Sequence, residues 1–187
     1  RSQLDVTRAL VATFGEALVL QRAGITQPIL LMEGVMSAEE LQLAAQHRFQ
    51  IVVHQFWQLA LLQRVAVAQP LVVWLKVDTG MHRLGIPLTA CTQVWEQLRA
   101  CTSVKEIRLM SHLACADDAD HPLNRSQREG FAALVQTTGA VQSSLANSAG
   151  LLRGEAFQFQ WVRPGLMLYG ATPLVEASAE ELNLQPA

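Results

Sequence analysis

Cysteine is scarce in this 187-residue sequence: there are three, Cys91, Cys101 and Cys115. An odd count without close spacing argues against a disulfide framework, and the five histidines show no paired ligand spacing, so reduced thiols and no metal site are expected. Charge is also scarce, at 16% of residues and a net −2. Lys and Arg are scattered, which excludes a nucleic-acid face or a membrane-surface patch as a partner surface. No apolar run reaches the roughly 18 residues that a membrane helix needs. Arg1–Leu10 has no signal-peptide pattern, and residue 1 is not Met, which fits a truncated sequence. What the chain does have is apolar content: 50% hydrophobic residues, a buried-core composition.

That apolar content switches between two patterns. Short β-branched runs read as buried strands, and longer segments at three-to-four spacing read as helices. Expected strands lie at 9–12, 28–33, 50–54, 71–78, 105–112, 141–145 and within 161–169. Expected helices lie at 14–23 (closed by Gly24), 37–46, 55–65, 88–100 and 126–137, with a short one after Asn147. Ser37 and Glu40 have the spacing of a capping box. Seven alternating strands imply parallel pairing with crossover helices. No G-x-G-x-x-G follows the first strand, which weakens a dinucleotide-binding sheet. Polar residues cluster just after several different strands, the signature of a barrel. The expected class is therefore α/β: an incomplete (β/α)8 TIM-type barrel, one strand short of closure.

Lys76 alternates with Trp74 and Asp78 on one face of the most apolar strand, where a lysine is costly unless paired or chemically altered. Arg83 follows in a glycine-containing loop, and its fork of donors suits an oxygen anion. On spacing alone, a structural ion pair and a solvated loop arginine remain the more economical readings. His112 ends the sixth strand, where a structural hydrogen-bonding role competes with acid–base chemistry. Asp117, Asp118, Asp120 and His121 read as a solvated loop. Ser148 caps a short helix, and the same geometry offers a hydroxyl and backbone N–H groups to a phosphate. Gly165, beside Arg163 and Pro164, would let backbone approach a phosphate closely.

The segments KVDTGMHRLG (76–85), SHLACAD (111–117), LANSAGLL (145–152), FQWVRPGLMLYGATPL (159–174) and EALVLQRAGITQPILLMEG (16–34) resemble blocks of the alanine racemases, in the right order. The likeness covers roughly residues 10–175. It implies a cytoplasmic, homodimeric enzyme that uses pyridoxal 5'-phosphate (PLP) to interconvert L- and D-alanine, for the cell wall or for alanine catabolism. It also implies a barrel followed by a β domain. Residues 1–174 then form the partial barrel, and 175–187 lead to a C-terminal β domain absent here. By that resemblance, Arg163 meets the pyridine nitrogen and His112 orients Arg163. Arg83 contacts the cofactor's phenolic oxygen and the substrate carboxylate, and Lys76 carries a carbamate that holds Arg83. Ser148, Gly165 and Leu166 cradle the phosphate.

The sequence also departs from the family. The motif like KANAYGHG that carries the Schiff-base lysine is not found, and neither Lys76 nor Lys105 fits that role. The family's second base is a tyrosine from the partner's β domain, whereas Tyr169, the only tyrosine, falls in the expected last strand. The isolated chain is therefore expected to be inactive. The alternative is a non-catalytic PLP-binding barrel protein.

Overall fold

The computed structural model describes residues 8–186; Arg1–Thr7 and Ala187, with which the expected barrel region begins and the tail ends, lie outside the described residues. The strands are β1 (Ala9–Val11), β2 (Ile29–Leu31), β3 (Gln50–Val53), β4 (Leu71–Asp78), β5 (Ile86–Pro87), β6 (Val104–Met110) and β7 (Ser143–Ser144). The α-helices are α1 (Phe14–Arg22), α2 (Ala38–Gln46), α3 (Phe56–Arg64), α4 (Leu88–Arg99), α5 (Pro122–Thr138) and α6 (Ser148–Leu152). Two compact units share them: Arg1–Lys76 with Gln93–Arg108, and Val77–Thr92 with Leu109–Ala187.

In the first unit the strands lie in the order β1-β2-β3-β4-β6. The pairs β1–β2, β2–β3 and β3–β4 are parallel, with Leu10 opposite Leu30, Leu30 opposite Gln50, and Val52 opposite Trp74. Residues 71–77 of β4 are all buried, as expected where helices cover a parallel sheet. The core is Leu30, Leu31, Ile51, Val53 and Leu75, covered by Leu41, Leu59 and Leu98. Helix starts follow local chemistry. Thr13 Oγ1 accepts the Glu16 N–H, and the Glu16 carboxylate accepts that of Thr13, a complete capping box. Ser37 Oγ caps Glu40 N–H as expected, but the Glu40 carboxylate accepts from Met36 N rather than from Ser37 N, so the reciprocal half of the expected box shifts by one residue.

In the second unit, β6 pairs with β7 in parallel and the end of β4 pairs with β5. Phe131, Leu109, Met110, Leu113 and Leu145 form its core, with Phe159 set edge-on to Phe131 at 5.0 Å. Helix α5 begins four residues before the expected start, with Pro122 in its first turn and His121 as its cap, and stops at Gly139 in the left-handed conformation. The expected last strand within 161–169 is corrected. Trp161 makes one bridge to Ser144, Arg163 N–H bonds Ala146 O, and Leu166–Tyr169 turns into a 3-10 helix. Pro164 has no N–H to extend the ladder, and Gly165, at φ −120° and ψ −77°, bends the chain away.

Gly34 follows β2 at φ +75°, where an added Cβ would sit 2.2 Å from Val52 O and 2.6 Å from Gln58 Nε2. Gly34→Ala is expected to cost about 2 kcal/mol or more, from backbone strain plus a clash that backbone cannot relieve. Gly24→Ala, at φ +83° with open space around it, should cost only the conformational part, about 1 kcal/mol. Urea unfolding midpoints of the two variants check this; equal losses would show that the close approach at Gly34 is not what holds β2.

Candidate functional site

The site begins with the loop that leaves β4. The Asp78 carboxylate turns back on it, accepting the Gly80 and His82 N–H groups at 2.9 and 3.0 Å and meeting His82 Nδ1 at 3.0 Å. Gly85 closes the loop against the strand: a Cβ there would lie 2.5 Å from Asp78 N, at φ +139°. Arg83 is thus carried, exposed, on a loop whose two ends are anchored.

Helix α5 then ties this loop to the end of β6. Gln127 is fully buried and uses its whole amide: Nε2 donates to Thr79 Oγ1 at 3.1 Å and to His112 O at 2.9 Å, and Oε1 accepts from Ala114 N at 2.9 Å. Thr79 Oγ1 is also 2.8 Å from Ser111 Oγ, which donates to Val77 O. Buried amides and hydroxyls are expected to be satisfied in this way, because an unmet one costs about 1–3 kcal/mol.

Arg163 lies across the ends of β6 and β7. Its Nη1 donates to Ser144 Oγ, and its Nη2 to Ser111 O and, at 3.4 Å, to Leu145 O. The residue as a whole is half-buried, but its charged end is enclosed, and that burial pulls the guanidinium down to about 10. It keeps its proton at neutral pH. No protein acceptor among the described residues is paired with its Nε–H. His112 is half-buried, with Nε2 3.4 Å from the Asn147 amide, while Asn147 also donates to Leu113 O and caps Gly150 N. Ser148 is buried, and its Oγ accepts the N–H groups of Gly165 at 2.9 Å and Met167 at 3.3 Å.

His112, Ser148, Arg163, Gly165 and Leu166 line one cavity of about 290 Å³. Five of the seven expected site residues are thus brought together. A Cβ on Gly165 would meet nothing within 4 Å. The bare backbone, the Ser148 hydroxyl and an enclosed guanidinium suit a ligand with both a phosphate and a ring nitrogen, so these residues fit PLP. Arg83 does not line this cavity. Lys76 lies in the other unit, buried at 7% exposure. There it faces His54, whose Nε2 is 3.0 Å from Glu33 O and whose Nδ1 has no hydrogen-bond partner. Burial, then the Lys76 charge, pull His54 below its ordinary value. Sequence reasoning missed His54 and Gln127; His54 ends a strand, like the other site residues, which was the available signal. No signal in the sequence marks Gln127.

The parallel strand–helix alternation defines an α/β domain of the partial-barrel class, and comparisons with known proteins place it further. The sequence matches the family described as "Alanine racemase, N-terminal domain" over residues 2–173. It is 45% identical over 176 residues to an alanine racemase of Pseudomonas fluorescens, covering 94% of this chain and 49% of that relative. Its structure is similar to biosynthetic alanine racemase from Pseudomonas aeruginosa, with a TM-score of 0.93 and 41% identity over 98% of this chain and 51% of that one. It is also similar to alanine racemase from Bartonella henselae with covalently bound pyridoxal phosphate, with a TM-score of 0.78 and 28% identity over 90% and 50% of the two chains. The chain therefore belongs to the alanine racemase family of isomerases, through its N-terminal domain. It spans about half the length of the curated relatives it matches.

The clasp on the β4 loop has a pH signature. Burial raises the Asp78 carboxyl, but the N–H groups of Gly80 and His82 and the His82 ring outweigh that and hold it below its ordinary 3.8. Its contribution to loop order is therefore complete above 3.8 and is lost as pH falls through the lower folded value. The carboxyl-carbon NMR resonance of Asp78 is expected to titrate with a midpoint below 3.8. A midpoint at or above that value would mean that the clasp does not hold the loop.

Proposed function

We propose that this chain is the cofactor-holding half of a PLP-dependent alanine racemase that interconverts L- and D-alanine, working as a cytoplasmic homodimer. The carrying observation is the enclosed Arg163 guanidinium, held by Ser111 O and Ser144 Oγ in the same cavity as Ser148 and Gly165. Among the described residues no helix is long and apolar enough to cross a membrane, which is compatible with that location.

When bound, PLP supplies the electron-accepting ring that stabilises negative charge at the amino acid Cα. Ser148 and the backbone at Gly165 and Leu166 would hold its phosphate. Arg163 would offer its Nε–H to the ring nitrogen. A guanidinium keeps its proton, so that nitrogen stays unprotonated, which weakens the electron sink and limits side reactions. His112, fixed through Asn147, supports this end of the cavity. Arg83 would bind the substrate carboxylate, as a fixed fork of donors suits. Lys76 would carry a carbamate, turning a costly buried cation into an anion. Residues 175–187 would lead on to a second domain.

The test is D-alanine formation from L-alanine by the whole protein that contains this chain. Ser148→Ala is expected to weaken PLP binding roughly tenfold, the loss of one charge-assisted hydrogen bond. The 187 residues alone, which carry neither of the family's two bases, are expected to show no turnover above PLP itself. Tight PLP binding without turnover in the whole protein would instead favour the non-catalytic barrel.

Lys76 has its own test. Lys76→Ala in the whole protein should lower kcat/KM by at least about tenfold, with partial recovery on adding a small carboxylate such as acetate. Unchanged activity would remove the carbamate role.

A further inference from the structure

Helix α5 carries a polar residue where its core stripe calls for an apolar one. Its buried positions are Asn124, Gln127, Phe131 and Leu134, one face at helical spacing, and Gln127 is fully buried. A buried amide is costly unless every donor and acceptor is met, a cost that an apolar side chain avoids.

The amide sets the direction of a chain of hydrogen bonds. The Ala114 N–H, which can only donate, fixes Oε1. Both Nε2 protons are then spent, one on His112 O and one on Thr79 Oγ1. Ser111 Oγ gives its single proton to Val77 O at 2.8 Å. The 2.8 Å bond between Thr79 and Ser111 must therefore use the Thr79 proton. Each hydroxyl has one assignment: Gln127 donates to Thr79, Thr79 to Ser111, and Ser111 to Val77.

Each end of this chain meets one of the two arginines of the site. Thr79 starts the loop that carries Arg83. Gly80 packs against the same helix, where an added Cβ would lie 3.0 Å from Leu123 Cδ1 and 3.7 Å from Gln127 Cγ. At the other end the Ser111 carbonyl accepts Arg163 Nη2. His112, whose carbonyl takes the second Gln127 proton, lines the same cavity as Arg163. The bonds from Gly165 and Met167 N–H to Ser148 Oγ share no atom with the chain.

We propose that Gln127 is a positioning residue for racemisation, setting the Arg83 loop and the acceptor of Arg163 in one fixed relation through Thr79 and Ser111. The inference rests on the racemase reading above. Gln127 lines no part of the cavity. It acts at once on the loop of the arginine for the substrate carboxylate and on the arginine for the cofactor ring. A fault in the chain therefore slows turnover more than it weakens cofactor binding, because the phosphate contacts lie outside it.

The test compares Gln127→Glu, Thr79→Val and Thr79→Ser in the whole protein, saturated with PLP and corrected for the folded fraction. Gln127→Glu keeps the side-chain shape, but a carboxyl has at most one proton to give where the amide has two. Thr79→Val removes the relaying hydroxyl, and Thr79→Ser keeps it. Racemisation kcat is expected to fall at least about tenfold in Gln127→Glu and in Thr79→Val, with PLP affinity changed less than about threefold. Thr79→Ser should keep most of the turnover. The double variant Gln127→Glu with Thr79→Val should be no worse than the poorer single one, because both break the same chain. Independently of turnover, the Gly80 and His82 N–H NMR signals should broaden in Gln127→Glu and Thr79→Val but not in Thr79→Ser. Thr79 is only half-buried, so its variants carry the test should Gln127→Glu fail to fold. Unchanged kcat in the folded, PLP-saturated variants overturns the proposal, leaving Gln127 a structural role alone. Losses that multiply in the double variant overturn it too, since the two residues would then act separately. If the unaltered protein does not racemise alanine, the racemase reading fails and the reaction role with it, while the N–H signals still decide whether the chain holds the loop.

Discussion

An enclosed guanidinium is the constraint around which the second unit is arranged. Arg163 carries its charge out of water, so its donors need oxygen acceptors close by. Ser111, just past β6, supplies its carbonyl; Ser144, the last residue of β7, supplies its Oγ; and Leu145, which follows it, supplies its carbonyl. These acceptors stand at neighbouring strand ends, and a β7 of two residues is enough to place its share of them. The side chain of one arginine does the work that further backbone ladder would do elsewhere. It leaves the cavity side of the guanidinium open to a ligand.

That arrangement would fail if the strand ends could drift apart. Gln127 prevents it, joining Thr79, His112 and Ala114 from a helix that contributes no group to the cavity. The Ser111 hydroxyl, bonded to Val77 O and to Thr79, links the same loops at a second point. Rigidity of this kind lets an exposed loop residue such as Arg83 hold a defined place, and it is typical of sites supported from behind by fully bonded polar groups.

The first unit solves the opposite problem. Its interior holds Lys76, Arg108 and Trp74, and the guanidinium groups of Arg8 and Arg108 lie over the Trp74 ring. An aromatic face eases a buried cation without neutralising it.

Much of this was legible in the order of the residues. The run LVVWLKVD is β4 to the residue, because an eight-residue apolar run with β-branched residues has few other ways to satisfy its backbone. Strand–helix alternation announced parallel pairing, and the block KVDTGMHRLG announced the family. The segment around Trp161 misled, because apolar content alone does not say that Pro164 and Gly165 interrupt the ladder. Sequence also pointed to Ser148, Gly165, His112 and Arg163 as candidates, but not to their sharing one cavity. That convergence, the burial that moves the Arg163 guanidinium, the bracing by Gln127 and the position of His54 beside Lys76 were decided only by tertiary structure. Each depends on groups tens of residues apart in the chain, and hydrogen bonding and desolvation act over a few ångströms of space, a distance that residue order does not record.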